Sequence, residues 1–251
     1  MHDTTRRAGW WQVIKASRPR PSPGRLGLES DGPGLVLSPR YLDQTRQFPH
    51  PASMTLLTIL IPAAGASSRM RGGDKLLELV GVEPMLRRQT RIARDICPDV
   101  IVTLRPEDTA RLATLTGLDV TILQIADAAE GMAASIRAGA DAAKNTALMI
   151  LPADMPDLTS ADLQGMIDAF DQSPSQIIRA TAQDGTPGHP VMFPAEYRVE
   201  LMAITGDEGA RRVLTANNHR LRLIALPDQH ATTDLDTPED WAAWRAAADQ
   251  A

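Results

Sequence analysis

The sequence predicts a three-layer α/β fold with a mostly parallel sheet, and three observations carry that expectation. Short apolar runs rich in β-branched residues recur along the chain, each ending at proline, glycine or a charged turn. Between them lie longer segments with the apolar spacing of helices. The two kinds alternate. Alternating βα units with near-continuous apolar strands are the pattern of a parallel sheet covered on both faces and joined by right-handed crossovers. In such sheets, ligand-binding residues cluster at the carboxyl ends of the strands.

Residues 1–53 stand outside this pattern. They hold Pro19, Pro21, Pro23, Pro33, Pro39, Pro49 and Pro51 with scattered Arg and Gly and no sustained apolar period, so they read as a disordered extension. Trp10, Trp11 and Val13 allow a short docking anchor, although composition favours a solvated tail. Met54 directly precedes the first strand, which places the folded domain at 54–251 and suggests Met54 as the native start.

Thr55 to Ile61 reads as the first buried strand, ended by Pro62. Glu83-Pro84 opens a helix whose face holds Met85, Leu86, Ile92 and Ile96, and Pro98 stops it. Asp99 to Leu104 is a second strand, 106–114 a helix and Asp119 to Gln124 a third strand. Gly131 opens another helix to about Ala143, followed by a strand over 147–151 that stops at Pro152. Thr159 with Asp162 three residues on is an N-cap. Ile177 to Thr181 is a strand, Gly185 to Phe193 a small-residue loop entering a short strand, and Gly206-Asp207-Glu208 the start of a helix with acids at its dipole. Leu221 to Leu226 is a strand. Thr237-Pro238 then caps a final helix to about Ala248.

Composition excludes several function classes. The chain has 43% hydrophobic and 23% charged residues, and no apolar run approaches the roughly 18 residues of a membrane span. No secretory signal is evident, so the cytoplasm is the expected location. Cys97 is the only cysteine, which excludes an internal disulfide and suits a small buried hydrophobe. The net charge is −5, and the part after residue 53 is more acidic than the whole, because eight Lys/Arg and four Asp/Glu precede Met54. That balance argues against broad nucleic-acid binding.

The chemistry concentrates after the first strand, in Pro62-Ala63-Ala64-Gly65-Ala66-Ser67-Ser68-Arg69-Met70-Arg71-Gly72-Gly73-Asp74-Lys75. Residues with so little side-chain bulk let backbone N–H groups approach a phosphate, while Arg69 and Lys75 supply positive charge. An ordinary strand-to-helix turn with two solvated cations has the same composition. The Gly-Lys-Ser/Thr ending of a Walker loop and the three spaced glycines of a dinucleotide fingerprint are both missing. Pro152-Ala153-Asp154-Met155-Pro156 follows another strand end and should neighbour that loop. Its carboxylate suits Mg²⁺ shared with phosphate oxygens, or a simple turn. Asp234 and Asp236 share a face if extended, offering a second metal ligand or merely solvated loop acids. His189 and Arg211 stay open between substrate contact and structural use.

These motifs, with Gly131-Met132-Ala133-Ala134-Ser135, Gly188-His189-Pro190 and Gly206 to Arg211, resemble in order those of the molybdenum-cofactor nucleotidyltransferases, over Leu56 to about Trp244. Within them the sequence is similar to the molybdopterin cytidylyltransferase branch. The resemblance implies a Rossmann-like nucleotidyltransferase fold that binds CTP and joins CMP to molybdopterin with release of pyrophosphate, the product passing to a molybdenum hydroxylase. It also implies that Ala63, Ala64, Gly65, Ala66 and Ser67 cradle the triphosphate and that Arg69 and Lys75 neutralise it. Gly131 and Ser135 would lie near base and ribose, and Asp154 and Asp236 would hold Mg²⁺. Guanylyl-transferring relatives usually have Gly-Gly where this chain has Ala64-Gly65, which favours CTP over GTP. One departure is Arg71, where the family often places glycine. A nucleotidyltransferase for a sugar or polyol phosphate and a non-catalytic cofactor chaperone are the competing readings.

Overall fold

The computed structural model describes residues 11–15, 56–144, 146–206 and 209–248. In chain order the strands are β1 (Trp11–Lys15), β2 (Leu57–Pro62), β3 (Leu79–Val80), β4 (Glu83–Pro84), β5 (Val100–Leu104), β6 (Thr121–Ile125), β7 (Ala147–Ile150), β8 (Ile177–Thr181), β9 (Pro187–Phe193) and β10 (Leu221–Ala225). The α-helices are α1 (Met85–Ile96), α2 (Thr109–Thr114), α3 (Met132–Ala142), α4 (Ser160–Gln172), α5 (Arg198–Met202), α6 (Arg211–Ala216) and α7 (Pro238–Ala248). These residues belong to one compact unit. A second unit, Pro19–Met54, lies outside the described residues.

Strand pairing follows from the apolar runs. The main sheet has the order β1-β6-β5-β2-β7-β9-β8-β10, and β6, β5, β2 and β7 run parallel. Ile59 and Ile61 face one layer with Val100 and Val102, while Leu60 and Ile101 face the other, as the two-residue period of a strand requires. The first layer is closed by α1 and α4 through Leu86, Ile92, Leu163, Met166 and Phe170. The second is closed by α3 and α5 through Ala133, Ile136 and Leu201, with Tyr197 just before α5. Both faces of the central strands β5, β2 and β7 are therefore dry. At roughly 1.5–3 kcal/mol for each fully buried large aliphatic or aromatic side chain, these layers dominate the stabilising terms. Cys97 sits in the first layer, and burial pushes its thiol up to about 11, so it remains protonated and inert.

Some expectations give way to tertiary context. β9 runs antiparallel to both neighbours, because the short connection from β8 turns back at Gly185. Trp11–Lys15 is ordered: it pairs antiparallel with β6, Trp11 and Val13 against one layer and Ile14 against the other. The expectation of a disordered extension fails for those five residues, since the apolar surface they need is supplied by β6 and not by their own neighbours. Trp10, Met54 and the rest of the extension lie outside the described residues, as do Asp207 and Glu208. Glu83 and Pro84 belong to a two-stranded hairpin with β3, so α1 starts at Met85. α2 starts only at Thr109, because the Asp108 carboxylate folds back onto the backbone N–H of Arg105 at 3.0 Å and its guanidinium at 2.8 Å. Among the described residues no helix is long and apolar enough to cross a membrane.

Gly188 marks the tightest approach near the sheet edge. A Cβ there would lie 1.8 Å from the carbonyl oxygen of Ala231, whose backbone also accepts the N–H of His189 at 2.8 Å. Gly188→Ala is expected to lower stability by about 3 kcal/mol, read as a shift in the urea midpoint; an unchanged midpoint would mean that this backbone contact yields easily.

Candidate active site

The small-residue loop leaves β2 where the sheet order predicts a ligand. Pro62 is still paired in the ladder, opposite Thr103, and the Ala63 N–H is held by the Thr103 carbonyl at 3.0 Å. Beyond it Ser67 and Arg71 bracket a single 3₁₀ turn, Ser68–Met70, both in the left-handed region with φ of 49° and 51°. Left-handed backbone costs a non-glycine residue roughly 1–2 kcal/mol. The departure at Arg71 is thus explained: glycine suits this position, and arginine occupies it under strain with an exposed 2.8 Å pair to Glu239. Among the described residues, nothing accepts a hydrogen bond from the backbone N–H of Ala64, Gly65 or Ala66. Their donors are available to an anion.

Two acids arrive from separate parts of the chain. β7 lies beside β2, so Asp154 in the loop after it meets the small-residue loop. That loop is braced by Gln89, a fully buried side chain whose amide nitrogen donates to the Pro152 carbonyl at 3.2 Å, and by the Thr159–Asp162 capping box that starts α4. Asp236 comes from the approach to α7. Thr237 and Asp240 cap that helix reciprocally, Leu235 is buried against Met70, Met85 and Trp241, and the Leu235 N–H donates to the Asp154 carbonyl at 3.3 Å. The two acidic segments are thereby tied together.

Lys75 lies between them. Its Nζ donates to Asp154 Oδ2 at 2.5 Å and to Asp236 Oδ1 at 2.6 Å, all three side chains being mostly buried. Burial pushes the Lys75 pKa down, yet the two carboxylates outweigh it and the net shift is upward, so the ammonium is fully charged. Arg69, largely exposed, bonds the other oxygen of Asp236 at 2.6 Å. Asp234 is the third acid of the group; burial first, then Asp236 and Asp154, push its pKa up. His189 belongs to the same end of the sheet, and its pKa is pushed down by burial and then by Arg179, with Asp154 opposing.

One cleft of about 540 Å³ contains this chemistry. It is lined by Ala63, Ala64, Gly65, Ala66, Ser67, Arg69, Lys75, Gly131, Ser135, Asp154 and Asp236, every residue assigned to the site from sequence, together with Ser68, Met132 and Ala153. Gly131 reaches it at φ +83°, a backbone that lets α3 begin abruptly at the rim. Asp234, His189 and Arg211 are absent from that lining. Among the described residues no three His, Cys, Asp or Glu side chains form a ready metal cage. Two carboxylates meeting on one ammonium do fit Mg²⁺, which takes one or two protein carboxylates and completes its shell with water and phosphate oxygens.

Sequence reasoning missed Arg111. It lies in α2, and its side chain is only 2% exposed. Its guanidinium bonds Ala63 O at 2.6 Å, Gly65 O at 2.8 Å, Ser67 Oγ at 3.0 Å and both oxygens of Asp74 at 2.7 and 2.8 Å. The signal available was its spacing: Arg111 stands four residues before the buried Leu115, on the inward face of the helix. Burial acts to raise the Asp74 pKa, but the hydrogen bonds and charge of Arg111 prevail and hold it below 3.8. A depressed carboxyl contributes stability above its unfolded pKa and loses it as pH falls through the folded one. Asp74→Asn should therefore flatten the acid limb of the stability curve below pH 3.8, seen in urea midpoints on either side of that value. A variant that keeps the wild-type slope would assign the acid sensitivity to other groups.

The chain is similar to known proteins over most of its length. Residues 59–221 match the family described as MobA-like NTP transferase domain. The molybdenum cofactor guanylyltransferase of Pseudomonas paraeruginosa is 32% identical over 191 residues, spanning 72% of this chain and 91% of that protein. Among solved structures, Rv0371c from Mycobacterium tuberculosis H37Rv superposes with a TM-score of 0.66 at 24% identity, over 76% of this chain and 98% of that one, and has also been solved as a complex with manganese. A nucleotidyl transferase from Methanothermobacter superposes with a TM-score of 0.63 at 17% identity, over 76% and 97%. The structural likenesses place the sheet and its helices in the Rossmann-like nucleotidyltransferase fold.

Proposed function

The chain belongs to the MobA-like NTP transferase domain family, and from that membership we propose that it transfers CMP from CTP to molybdopterin, releasing pyrophosphate and forming the cytosine dinucleotide cofactor. The observation that carries this reading is the convergence of loop N–H groups unpartnered among the described residues, Lys75 and two carboxylates in one cleft. Backbone donors and cations suit a triphosphate, and paired acids suit the divalent ion that accompanies it. A carrier that only held the cofactor would have no use for both.

The transfer needs no protein nucleophile. An oxygen of the acceptor phosphate forms a bond to the α-phosphorus in line, the bond from that phosphorus to the bridging oxygen breaks, and pyrophosphate leaves with the electron pair. The loop N–H groups of Ala64 to Ala66 orient the phosphates, and Lys75 and Arg69 meet the negative charge that spreads over the reacting oxygens. Gly131 and Ser135, which line the same cleft, face the nucleoside. Asp154 and Asp236 would hold Mg²⁺, which when bound polarises phosphoryl oxygens. Lys75 and Arg69 orient those acids as well as neutralising them.

Ala64 supports CTP. Guanylyl-transferring relatives usually have Gly-Gly where this chain has Ala64-Gly65, and Ala64 is a nearly buried residue of the cleft lining. The name of the Pseudomonas relative makes GTP the competing donor. Incubating the protein with Mg²⁺, molybdopterin and each NTP in turn should give a cytosine dinucleotide and pyrophosphate, and Ala64→Gly should raise the yield with GTP relative to CTP. A guanine product from the wild type, or a selectivity ratio that Ala64→Gly leaves unchanged, would overturn the assignment of donor or selector respectively.

Lys75→Ala is expected to lower kcat about 10²-fold or more, the loss of one preorganised donor at the reacting phosphate. Asp154→Asn should shift the Mg²⁺ titration of activity to higher concentration. Wild-type turnover in the first variant, or an unmoved titration in the second, would remove that residue from its role.

A further inference from the structure

Arg111 has no place in the chemistry above, yet it is a buried charge with all of its donors in use. A guanidinium carries five N–H groups, and the five hydrogen bonds to Ala63, Gly65, Ser67 and Asp74 account for them. We propose that Arg111, paired with Asp74, is the positioning residue that presets the phosphate loop, turning its N–H groups toward the triphosphate from the far side of the backbone. The inference rests on the loop being a triphosphate grip.

The geometry follows from the planar trans peptide. The carbonyl of one residue and the N–H of the next point in opposite directions. Arg111 Nη1 holds the carbonyls of Ala63 and Gly65 on its own side, so the N–H groups of Ala64 and Ala66 point away from it. These two N–H groups are among those with no acceptor in the described residues, and both residues line the cleft. An unliganded loop of small residues has many conformations of similar energy, and this clamp leaves it one.

Asp74 extends the clamp to the far end of the loop. It receives Arg111 through both oxygens, Ser67 Oγ at 3.1 Å and the Leu76 N–H at 3.1 Å. Lys75 lies between Asp74 and Leu76, so the pair that aims the N–H groups also sets where the ammonium leaves the backbone. Arg111 is absent from the lining of the cleft. It acts through the loop.

The test is binding of Mg²⁺ and inorganic tripolyphosphate to the full chain by calorimetry, which needs neither the nucleobase nor the acceptor. Arg111→Lys keeps a charge for Asp74 but cannot hold two carbonyls, a hydroxyl and a carboxylate together. Its affinity should fall at least about tenfold while far-UV circular dichroism stays that of the wild type. Asp74→Asn, which preserves side-chain shape, should weaken binding in the same direction and serves if Arg111→Lys does not fold. Arg87→Lys is the structural control: Arg87 donates to the carbonyls of Thr114, the last residue of α2, and of Thr116 just after it, so its loss should lower the melting temperature with affinity within about twofold. Equal affinity in wild type and Arg111→Lys, or a fall in Arg87→Lys as large as in Arg111→Lys, would overturn the positioning role and leave the proposed function standing. Absence of binding in the wild type would overturn the phosphate loop itself.

Discussion

The pair between buried Arg111 and half-buried Asp74 is the constraint on which the rest of the site depends. A guanidinium taken out of water must have every donor met and its charge balanced, so losing a partner is destabilising. Here the partners are the two ends of one loop. Satisfying Arg111 therefore fixes the path from Ala63 to Lys75 before any ligand arrives, and a loop of alanine, glycine and serine that has little packing of its own acquires a defined shape.

On the cleft side of that loop the balance of charge is reversed. Lys75 is shared by Asp154 and Asp236, Arg69 takes the remaining oxygen of Asp236, and Asp234 adds a third acid whose proton is held more tightly by burial and then by those two carboxylates. The acids are carried by stiff supports: a proline-bounded loop braced by Gln89, and the capped start of α7. Carboxylates that cannot retreat from one another invite a cation. Lys75 is that cation in the protein alone, and a divalent ion is the addition that would let the same acids serve a polyphosphate.

Much of this was legible along the chain because its signals are local. Pro62 and the small residues after it, the proline-bounded Asp154, and Thr237-Pro238 ahead of an acidic first turn each declare a strand end, a stiff loop or a helix start within a few residues. Sheet order then brings them to one edge by rule, since consecutive βα units leave their loops at the carboxyl ends. Arg71 was legible as an oddity and became intelligible once its φ of 51° was known. Other features had no local signature. Trp11–Lys15 is a strand only because β6 offers it a partner, β9 takes its direction from the closing hairpin, and Arg111 is distinguished from any helical arginine only by what surrounds it.

By itself the sequence determined the alternation of strands and helices, the caps that start α4 and α7, and the residue types available at each strand end, because periodicity and capping act over a few neighbours. The tertiary structure alone decided that Asp154 and Asp236 would share Lys75 and that Arg111 would hold the loop from behind. Those contacts join segments far apart in the chain, and their energies exist only when the packed layers exclude water around charges that must then find each other.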